Sequence, residues 1–247
     1  MNISVFTILN VAVAALIVFL AARFAWNMWF ATSYFPAEWS QAGREGRITP
    51  ALRKLMRRYS DKTRFFGWWL QVERLRRDKI PGDFAEVGVY RGESAGILHR
   101  MDPDRKFHLF DTFEGFPHTD LAIEQGESAA YTTHHFADTH ERSVLKKIGG
   151  NGNVIVHKGH FPETATKVAD ARFALVNLDA DLYLPTKAAL DFFYPRMVPG
   201  GVLFIHDHNH RWEGIKRAVK EFSDEQGLFP VFMPDPDSTA VLVKPKI

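Results

Sequence analysis

Carboxylate and imidazole side chains follow two apolar runs in the C-terminal half of the sequence. Asp179 closes the first run, and His206, Asp207 and His208 close the second. If both runs are parallel strands of one doubly wound sheet, their carboxyl ends open into the same crevice and bring these side chains together. Carboxylate oxygens suit Mg²⁺, Mn²⁺ or Ca²⁺, and an added imidazole moves the preference toward transition metals. The four residues therefore predict a divalent metal site.

These residues also have structural interpretations. A single histidine at such a position is more often hydrogen-bonded at the surface than bound to a metal. Asp181, two residues after Asp179, is interpreted as the cap of the next helix or as a hydrogen-bonding partner of a ligand. Asp179 and Asp207 are the two that we favour as functional.

A glycine-containing turn follows an earlier apolar run, in the phrase Glu86-Val-Gly88-Val-Tyr90-Arg-Gly92-Glu-Ser94. Glycines let the chain turn tightly and bring backbone N–H groups and a helix N-terminus close to a ligand. The next glycine after Gly88 lies four residues on, whereas the dinucleotide fingerprint needs two, so NAD is disfavoured. The turn predicts a nucleotide-like cofactor, and tight packing is the alternative.

Asp111 ends the next apolar run, one βα unit after the glycine turn. An acidic side chain at that edge can accept hydrogen bonds from both ribose hydroxyls of a nucleoside. The alternative is a cap for Thr112, Phe113 and Glu114. Together with the glycine turn, Asp111 predicts a nucleoside site.

Apolar runs alternate with amphipathic stretches from residue 83 onward, which predicts an α/β fold with a doubly wound, mainly parallel sheet. The predicted strands are 83–89, 106–112, 153–159, 173–181 and 201–208. The predicted helices begin near Gly92, Thr139, Pro162, Pro185 and Arg211. Residues 229–233 and 239–244 predict a C-terminal antiparallel hairpin. The polar stretch 113–140 predicts a lid or binding loop.

Composition limits the chemistry that is available. The chain has 247 residues, of which 46% are hydrophobic and 24% charged, which is typical of a globular protein. It has no cysteine, so disulfides, thiolate metal sites and cysteine nucleophiles are excluded. Any metal must therefore be bound by oxygen or imidazole.

The N-terminal residues predict a membrane anchor. Residues 3–22 contain no charged side chain and are long enough to cross a hydrocarbon core of about 30 Å. A signal peptide and a buried helix are the alternatives. Aromatic residues that suit a membrane interface follow the run, namely Trp26, Trp29, Phe30, Tyr34 and Phe35.

Charge is distributed unevenly along the chain. Residues 44–79 hold 12 Lys and Arg against 4 Asp and Glu, whereas residues 80–247 hold 18 against 24. With the apolar run at residues 3–22, this bias predicts a single-pass protein whose C-terminal part lies in the cytoplasm. The basic stretch is interpreted either as a surface for anionic lipid or as the solvated face of helices, and the acidic remainder disfavours nucleic acid.

Three segments follow from these patterns. Residues 1–35 are predicted to be the transmembrane anchor with its interfacial aromatic residues. Residues 36–82 are predicted to be a basic helical segment that leads into the domain. Residues 83–247 are predicted to be the cofactor-binding domain.

Five phrases in sequence order carry a family resemblance that covers residues 83 to about 222. They are Glu86-Val-Gly-Val-Tyr-Arg-Gly92, Asp111-Thr-Phe-Glu-Gly-Phe-Pro117, Gly159-His-Phe-Pro-Glu-Thr164, Leu178-Asp-Ala-Asp-Leu-Tyr183 and Tyr194-Pro-Arg-Met-Val-Pro-Gly-Gly201. The chain resembles class I S-adenosylmethionine-dependent methyltransferases, and specifically the macrocin O-methyltransferase family of metal-dependent sugar O-methyltransferases. The resemblance implies a Rossmann-like methyltransferase fold.

The resemblance also implies where ligands lie. It places the cofactor over the glycine turn, its ribose on Asp111, and a divalent ion on Asp179 and the acids after the fifth strand. Family members usually have two adjacent acids there, whereas this chain has His206-Asp207. Comparison with catechol-type O-methyltransferases would make His208 the relevant neighbour instead. The implied cofactor contacts beyond those of the glycine turn are Thr112, Phe113, His157 and Gly159.

Methyl transfer is an in-line displacement that requires alignment of the acceptor and removal of its proton. A metal such as Mg²⁺ would bind the acceptor hydroxyl and lower its pKa. Asp179, His160 or His208 is the predicted base.

Three functional hypotheses follow. The first is a membrane-anchored, metal-assisted O-methyltransferase acting on a sugar or glycolipid, including a lipid-linked saccharide. The second is a metal-independent methyltransferase with another small-molecule acceptor. The third is a non-catalytic cofactor-binding scaffold or a nucleotide-dependent reductase. Assembly into a homo-oligomer is left open.

Overall fold

The structure, a computed structural model, describes residues 4–30, 35–150 and 152–246, with side chains omitted for residues 27–30. Within it the chain forms two compact units, residues 1–49 and 50–247. The predicted segment 36–82 is divided between these two units. The reason is that the helices of residues 50–82 pack with the sheet.

The N-terminal unit holds two helices, α1 (Val5–Phe30) and α2 (Ala37–Arg44). Residues Val5–Trp26 have a mean hydropathy of 2.6 and are exposed to the surroundings, so this helix is long and apolar enough to cross a membrane. Trp26, the first of the predicted interfacial aromatic residues, is exposed. Of the other predicted belt residues, the side chains of Trp29 and Phe30 and the whole of Tyr34 lie outside the described residues.

The second unit is built on a seven-stranded sheet with the order β3-β2-β1-β4-β5-β7-β6. Its strands are β1 (Asp83–Val87), β2 (Phe107–Asp111), β3 (Val154–Lys158), β4 (Phe173–Leu178), β5 (Met197–Ile205), β6 (Val231–Phe232) and β7 (Ala240–Val243). The first five are parallel, and β7 pairs antiparallel with both β5 and β6. The predicted doubly wound sheet and its C-terminal hairpin are confirmed.

Helices connect and cover these strands. They are α3 (Pro50–Arg58), α4 (Lys62–Arg77), α5 (Glu93–Met101), α6 (His118–Leu121), α7 (Glu141–Ile148), α8 (Tyr183–Phe193) and α9 (Glu213–Gln226). The helix predicted near Pro162 is a 3₁₀ helix, Glu163–Val168, and further 3₁₀ turns cover Gly126–Ala130 and Tyr194–Arg196.

The core lies on both faces of the sheet. All six residues of β4 are buried, as expected for a central parallel strand that helices cover on both sides. Phe193 of α8 packs edge-on against Phe173 of β4, with ring centroids 4.9 Å apart. The buried strands hold their carboxyl ends in fixed register, which positions the loops that follow them.

The polar stretch 113–140 is partly ordered by an aromatic cluster. Phe136 packs against Phe116 and against Tyr90 of the glycine turn, with ring centroids 5.5 Å and 5.0 Å apart. Glu124 accepts a hydrogen bond from the backbone N–H of Tyr183, at 2.6 Å. These contacts fix the stretch beside the carboxyl edge of the sheet.

Candidate functional site

A cavity of about 960 Å³ lies at the carboxyl edge of β1, β2, β4 and β5. The glycine turn after β1 and Asp111 after β2 line one part of it, and Asp179 after β4 and Asp207 after β5 line another. The stretch 113–140 contributes Phe116 and further residues to its wall. This is the edge at which ligands bind in open α/β sheets.

The glycine turn approaches the neighbouring strand too closely for a side chain. Gly88 has φ +83°, and a Cβ there would lie 1.8 Å from the backbone oxygen of Asp179. Gly92 has φ +67° and is the N-cap of α5. The turn therefore exposes backbone at the cavity, which is the arrangement that a close-lying cofactor needs.

Asp111 holds the glycine turn in shape. Its Oδ2 accepts hydrogen bonds from the backbone N–H groups of Val89 and Tyr90, at 2.7 and 2.8 Å. Its Oδ1 accepts from the N–H of Phe113 at 2.6 Å, so the alternative of a local cap is present as well. Asp111 still lines the cavity.

Glu86 lies fully buried beneath the turn. Its Oε1 accepts hydrogen bonds from Ser94 Oγ at 2.5 Å and from Asn177 Nδ2 at 2.8 Å. Its Oε2 is buried without a hydrogen-bond partner in the described residues. Burial, only partly offset by these bonds, raises the pKa of Glu86 to about 8.

Replacing Glu86 with glutamine is expected to stabilise the fold at pH 8 relative to the wild type. The pKa of Glu86 is higher in the folded than in the unfolded protein. The free energy of unfolding of the wild type therefore falls as pH rises from the unfolded to the folded pKa, by at most about 1.4 kcal/mol per pH unit. Urea unfolding of the wild type and of Glu86→Gln at pH 5.5 and pH 8 measures how the free energy of unfolding of each depends on pH. A Glu86→Gln variant with an unchanged pH slope would contradict the buried, protonated carboxyl.

Four acids surround one imidazole at the other end of the cavity. His206 Nδ1 lies 2.8 Å from Asp179 Oδ1 and 3.2 Å from Asp207 Oδ2. Its Nε2 lies 3.2 Å from Asp237 Oδ2. Asp181 completes the group and is hydrogen-bonded to Asp207. The ligand atoms of Asp179, His206 and Asp207 lie within 4.8 Å of one another.

A buried arginine enters the same group from α4. Arg64 Nη2 donates to Asp179 Oδ2 at 2.9 Å, and the Arg64 side chain is only 6% exposed. Its guanidinium also lies over the ring of Trp68, 4.7 Å from the centroid. Both oxygens of Asp179 are therefore hydrogen-bonded to cationic groups.

The charges in this group shift one another's pKa values. Burial opposes the charge on Asp179, but the neighbouring His206 and Arg64 hold the pKa of Asp179 well below its usual range. Burial likewise opposes the charge on His206, but Asp179 and the hydrogen bonds to Asp207 and Asp237 raise the pKa of His206 to about 12. Burial and the adjacent carboxylates raise the pKa of Asp181 well above its usual range. The group thus holds one carboxylic acid and one strong anion side by side.

Two of these acids have strained backbone. Asp181 has φ +59° and Asp207 has φ +57°. The left-handed region costs a non-glycine residue about 1–2 kcal/mol, and such residues concentrate at functional sites. Asp181 does not cap α8, whose N-cap is Leu182 with no side-chain bond, so the capping interpretation is wrong.

The structure brings most of the predicted residues to one cavity. Those that line it are Gly88, Tyr90, Gly92, Ser94, Asp111, Thr112, Gly159, His160, Asp179, His206 and Asp207. Glu86, Phe113, His157 and His208 do not line it.

His157 and His208, which do not line the cavity, each stack on an aromatic ring. His157 stacks on Phe110, its ring centroid 4.5 Å away, and its Nε2 lies 3.0 Å from Nδ1 of His108. Burial, with smaller effects from His108 and Lys167, lowers the pKa of His157 to about 4. His208 stacks on Phe232 at 4.7 Å.

Three residues of the site are not predicted by the sequence. Arg64 and Asp237 contact the acid group, and Asp120 Oδ2 lies 2.9 Å from Nε2 of His160. The signal for Arg64 is its place in an aromatic run, between Tyr59 and Trp68, where a surface helix would be polar. Asp237 stands in a turn, and Asp120 stands in the polar stretch 113–140, where aspartate carries no specific sequence signal.

Most of the chain matches a known protein family. A family model described as Macrocin-O-methyltransferase (TylF) matches residues 60–244, well over half of the chain. The chain belongs to the macrocin O-methyltransferase family. The resemblance predicted from the five phrases is confirmed. The family match begins at residue 60, just before α4, so α4 and its Arg64 lie within the matched residues.

Two curated proteins are similar to this chain in sequence. The chain is 31% identical over 171 residues to the mycinamicin III 3''-O-methyltransferase of Micromonospora griseorubida, covering 64% of this chain and 66% of that one. It is 28% identical over 175 residues to the 8-demethyl-8-(2,3-dimethoxy-alpha-L-rhamnosyl)-tetracenomycin-C 4'-O-methyltransferase of Streptomyces olivaceus, covering 64% of each. The matches thus span just under two thirds of these relatives' lengths.

A solved structure has the same fold as this chain. The O-methyltransferase NovP aligns with a TM-score of 0.64 at 21% identity, covering 75% of this chain and 81% of that one. The expected Rossmann-like methyltransferase fold is confirmed.

Proposed function

We propose that the protein is an S-adenosylmethionine-dependent O-methyltransferase that acts on a hydroxyl group of a sugar. The observation that carries this proposal is one cavity that joins the exposed backbone of the glycine turn to the acid group around Asp179. The two curated relatives are named as O-methyltransferases, one of them for a rhamnosyl compound.

The test is transfer of a labelled methyl group from S-adenosylmethionine to a panel of hexosides and 6-deoxyhexosides. Label in an alkali-stable product identifies an ether and excludes a methyl ester. Absence of transfer to every sugar hydroxyl, with label on a carboxylate or amine acceptor instead, would overturn the proposed acceptor class.

The glycine turn and Asp111 are proposed to bind the cofactor. Gly88 and Gly92 line the cavity without side chains, and Asp111, which accepts three backbone N–H groups, has one lone-pair site left to accept a hydrogen bond from a ribose hydroxyl. Gly159 lies on the same wall, beside the end of β3. Tyr90, Ser94 and Thr112 line the same part of the cavity and are proposed as further contacts.

The donor set at the acid group fits a divalent ion. Asp179, His206 and Asp207 each offer one ligand atom, these atoms lie within 4.8 Å of one another, and carboxylate oxygen with imidazole nitrogen is a donor set that divalent transition metals accept. These three residues would hold the ion after His206 loses its Nδ1 proton. When bound, the ion would bind the acceptor hydroxyl and lower its pKa, and S-adenosylmethionine would supply the electrophilic methyl group.

The side chains of this protein then orient the acceptor and take its proton. We propose the ionised form of Asp181 as the base. Burial and the neighbouring carboxylates raise its pKa, so once Asp181 has lost its own proton it is a stronger proton acceptor than Asp179. Arg64 fixes the carboxylate of Asp179. His160, oriented by the buried Asp120, lines the cavity and is proposed to position the acceptor.

The imidazole in the donor set predicts the metal preference. Activity is expected to be lost on chelation and restored better by Mn²⁺ or Co²⁺ than by Mg²⁺, because imidazole suits transition metals. His206→Asp is expected to shift the preference toward Mg²⁺, about tenfold, because the set then contains only oxygen. Reconstitution of chelated wild-type and variant protein measures this. Undiminished activity after chelation would favour the metal-independent alternative.

The N-terminal helix α1 is proposed to anchor the protein in a membrane, with residues 50–247 on the cytoplasmic side. Its length and hydropathy support this, and the excess of basic residues after it gives the orientation. The full chain is expected to stay with membranes during carbonate extraction. Release into the supernatant would contradict the anchor.

A further inference from the structure

One face of α3 forms part of the cavity wall. Its cavity-lining residues are Ala51, Lys54, Leu55 and Arg58, which have the spacing of a single helical face. The opposite side of the helix carries the buried residues Leu52 and Met56. The burial of those side chains fixes the rotation of the helix, so Lys54 and Arg58 are held toward the cavity.

Two more cations line the same cavity. Arg100 of α5 donates to the backbone oxygen of Gly96 at 3.0 Å, and Lys147 of α7 donates to the backbone oxygen of Arg91 at 2.9 Å. Neither side chain forms an ion pair within the described residues. Lys54 and Arg58 likewise have no carboxylate partner in the part of the chain that the structure describes.

Seven carboxylates line the same cavity, and most of them already have hydrogen-bonding partners. Glu93 is the carboxylate that lines the cavity from α5. The acids at the other end of the cavity are already engaged with Arg64 and His206, and Asp111 accepts three backbone N–H groups. Arg100 and Lys147 belong to residues 80–247, which are acidic as a whole, and Lys54 and Arg58 belong to the basic residues 44–79, so cations from both parts of the chain meet at this cavity.

The cavity is therefore lined both by the acid group and by four cations that have no carboxylate partner in the described residues. An acceptor that fits it presents a hydroxyl group to Asp179 and Asp181 and a multiply charged anion to the four cations. The single carboxylate of S-adenosylmethionine would balance one cation, which leaves three.

We propose that the four cavity-lining cations Lys54, Arg58, Arg100 and Lys147 bind the diphosphate group of a sugar-diphosphate acceptor. This inference rests on the proposed sugar O-methyltransferase function and names the substrate class within it. Lysine and arginine pair with phosphate oxygens through charge-assisted hydrogen bonds, and several such bonds together give affinity and register. A diphosphate carried by a nucleoside and one carried by a lipid share this chemistry.

The test uses the full chain in neutral detergent and titrates it calorimetrically with inorganic pyrophosphate. The variant is Lys54→Gln/Arg58→Gln, and the matched control is Arg53→Gln/Arg57→Gln, which removes the same charge from exposed positions of α3 that do not line the cavity. Saturable binding is expected, about tenfold or more weaker in the first variant and less than about twofold weaker in the control.

Two further titrations separate the sources of the diphosphate. Uridine diphosphate binding more tightly than pyrophosphate would identify a nucleotide sugar, and farnesyl diphosphate binding more tightly would identify a lipid carrier. No saturable pyrophosphate binding, or equal weakening in both variants, would overturn the proposal. S-adenosylmethionine is titrated into the same samples. If it does not bind while pyrophosphate does, the methyltransferase function fails and the anion site stands.

Discussion

Replacing Asp181 with asparagine is expected to lower kcat by about 100-fold to 10,000-fold, with little change in the affinity for S-adenosylmethionine. Removal of a positioned general base has an effect of this size. Asp181 is next to both Asp179 and Asp207, lines the cavity and has a raised pKa. Asparagine keeps the shape of the side chain but cannot accept the hydroxyl proton.

Asp191→Asn is the matched control for this variant. Asp191 lies on α8, is exposed, and pairs with Lys187 at 3.1 Å, so the same chemical change there leaves the cavity intact. Turnover of the control is expected to match the wild type. Turnover of Asp181→Asn within about threefold of the control would remove Asp181 from the role of base.

Replacing Asp179 is expected to abolish turnover and also to destabilise the fold. The variant Asp179→Asn removes a proposed metal ligand, and it leaves the buried guanidinium of Arg64 without its carboxylate. Breaking a buried ion pair at one partner costs about 3–5 kcal/mol. Urea unfolding and the labelled-methyl assay measure the two effects separately.

A second replacement separates the two effects. In Arg64→Met/Asp179→Asn neither charge of the pair remains, so most of the lost stability is expected to return, while turnover stays undetectable. Recovered turnover in the double variant would show that Asp179 acts only by neutralising Arg64. An Asp179→Asn variant as stable as the wild type would show that the ion pair contributes nothing.

Local patterns predicted much of the sheet and of the cofactor side of the cavity. The first five strands lie within or next to the predicted runs because each is a short apolar segment between turn residues. Gly88 and Asp111 are placed by the ends of consecutive strands, so their position follows once the strands are assigned. The ligands of the acid group follow from β4 and β5 in the same way.

The alternation of side chains along a strand predicts their direction only as far as the strand extends. A strand extended to residue 208 would place His206 and His208 on one side, since side chains alternate with period two. The strand β5 ends at Ile205, and Asp207 takes a left-handed conformation that breaks the alternation. His206 therefore faces the acids, while His208 packs on Phe232.

Contacts between distant parts of the chain were beyond prediction. Arg64 and Asp179 are 115 residues apart, and nothing in either local pattern specifies the other. Asp237 reaches His206 only because the hairpin β6-β7 adds to the sheet edge beside β5. The charge pattern of residues 36–82 predicts a basic segment that leads into the domain. The aromatic residues of α4 within it are nevertheless buried.

The central claim is that the cavity binds S-adenosylmethionine, and calorimetric titration of the full chain in detergent tests it most directly. Saturable binding of S-adenosylmethionine and of its demethylated product is expected, with no binding of NAD in the same preparation. A folded chain that binds NAD, or that binds neither methyltransferase ligand, would contradict the account and favour the reductase or scaffold alternative.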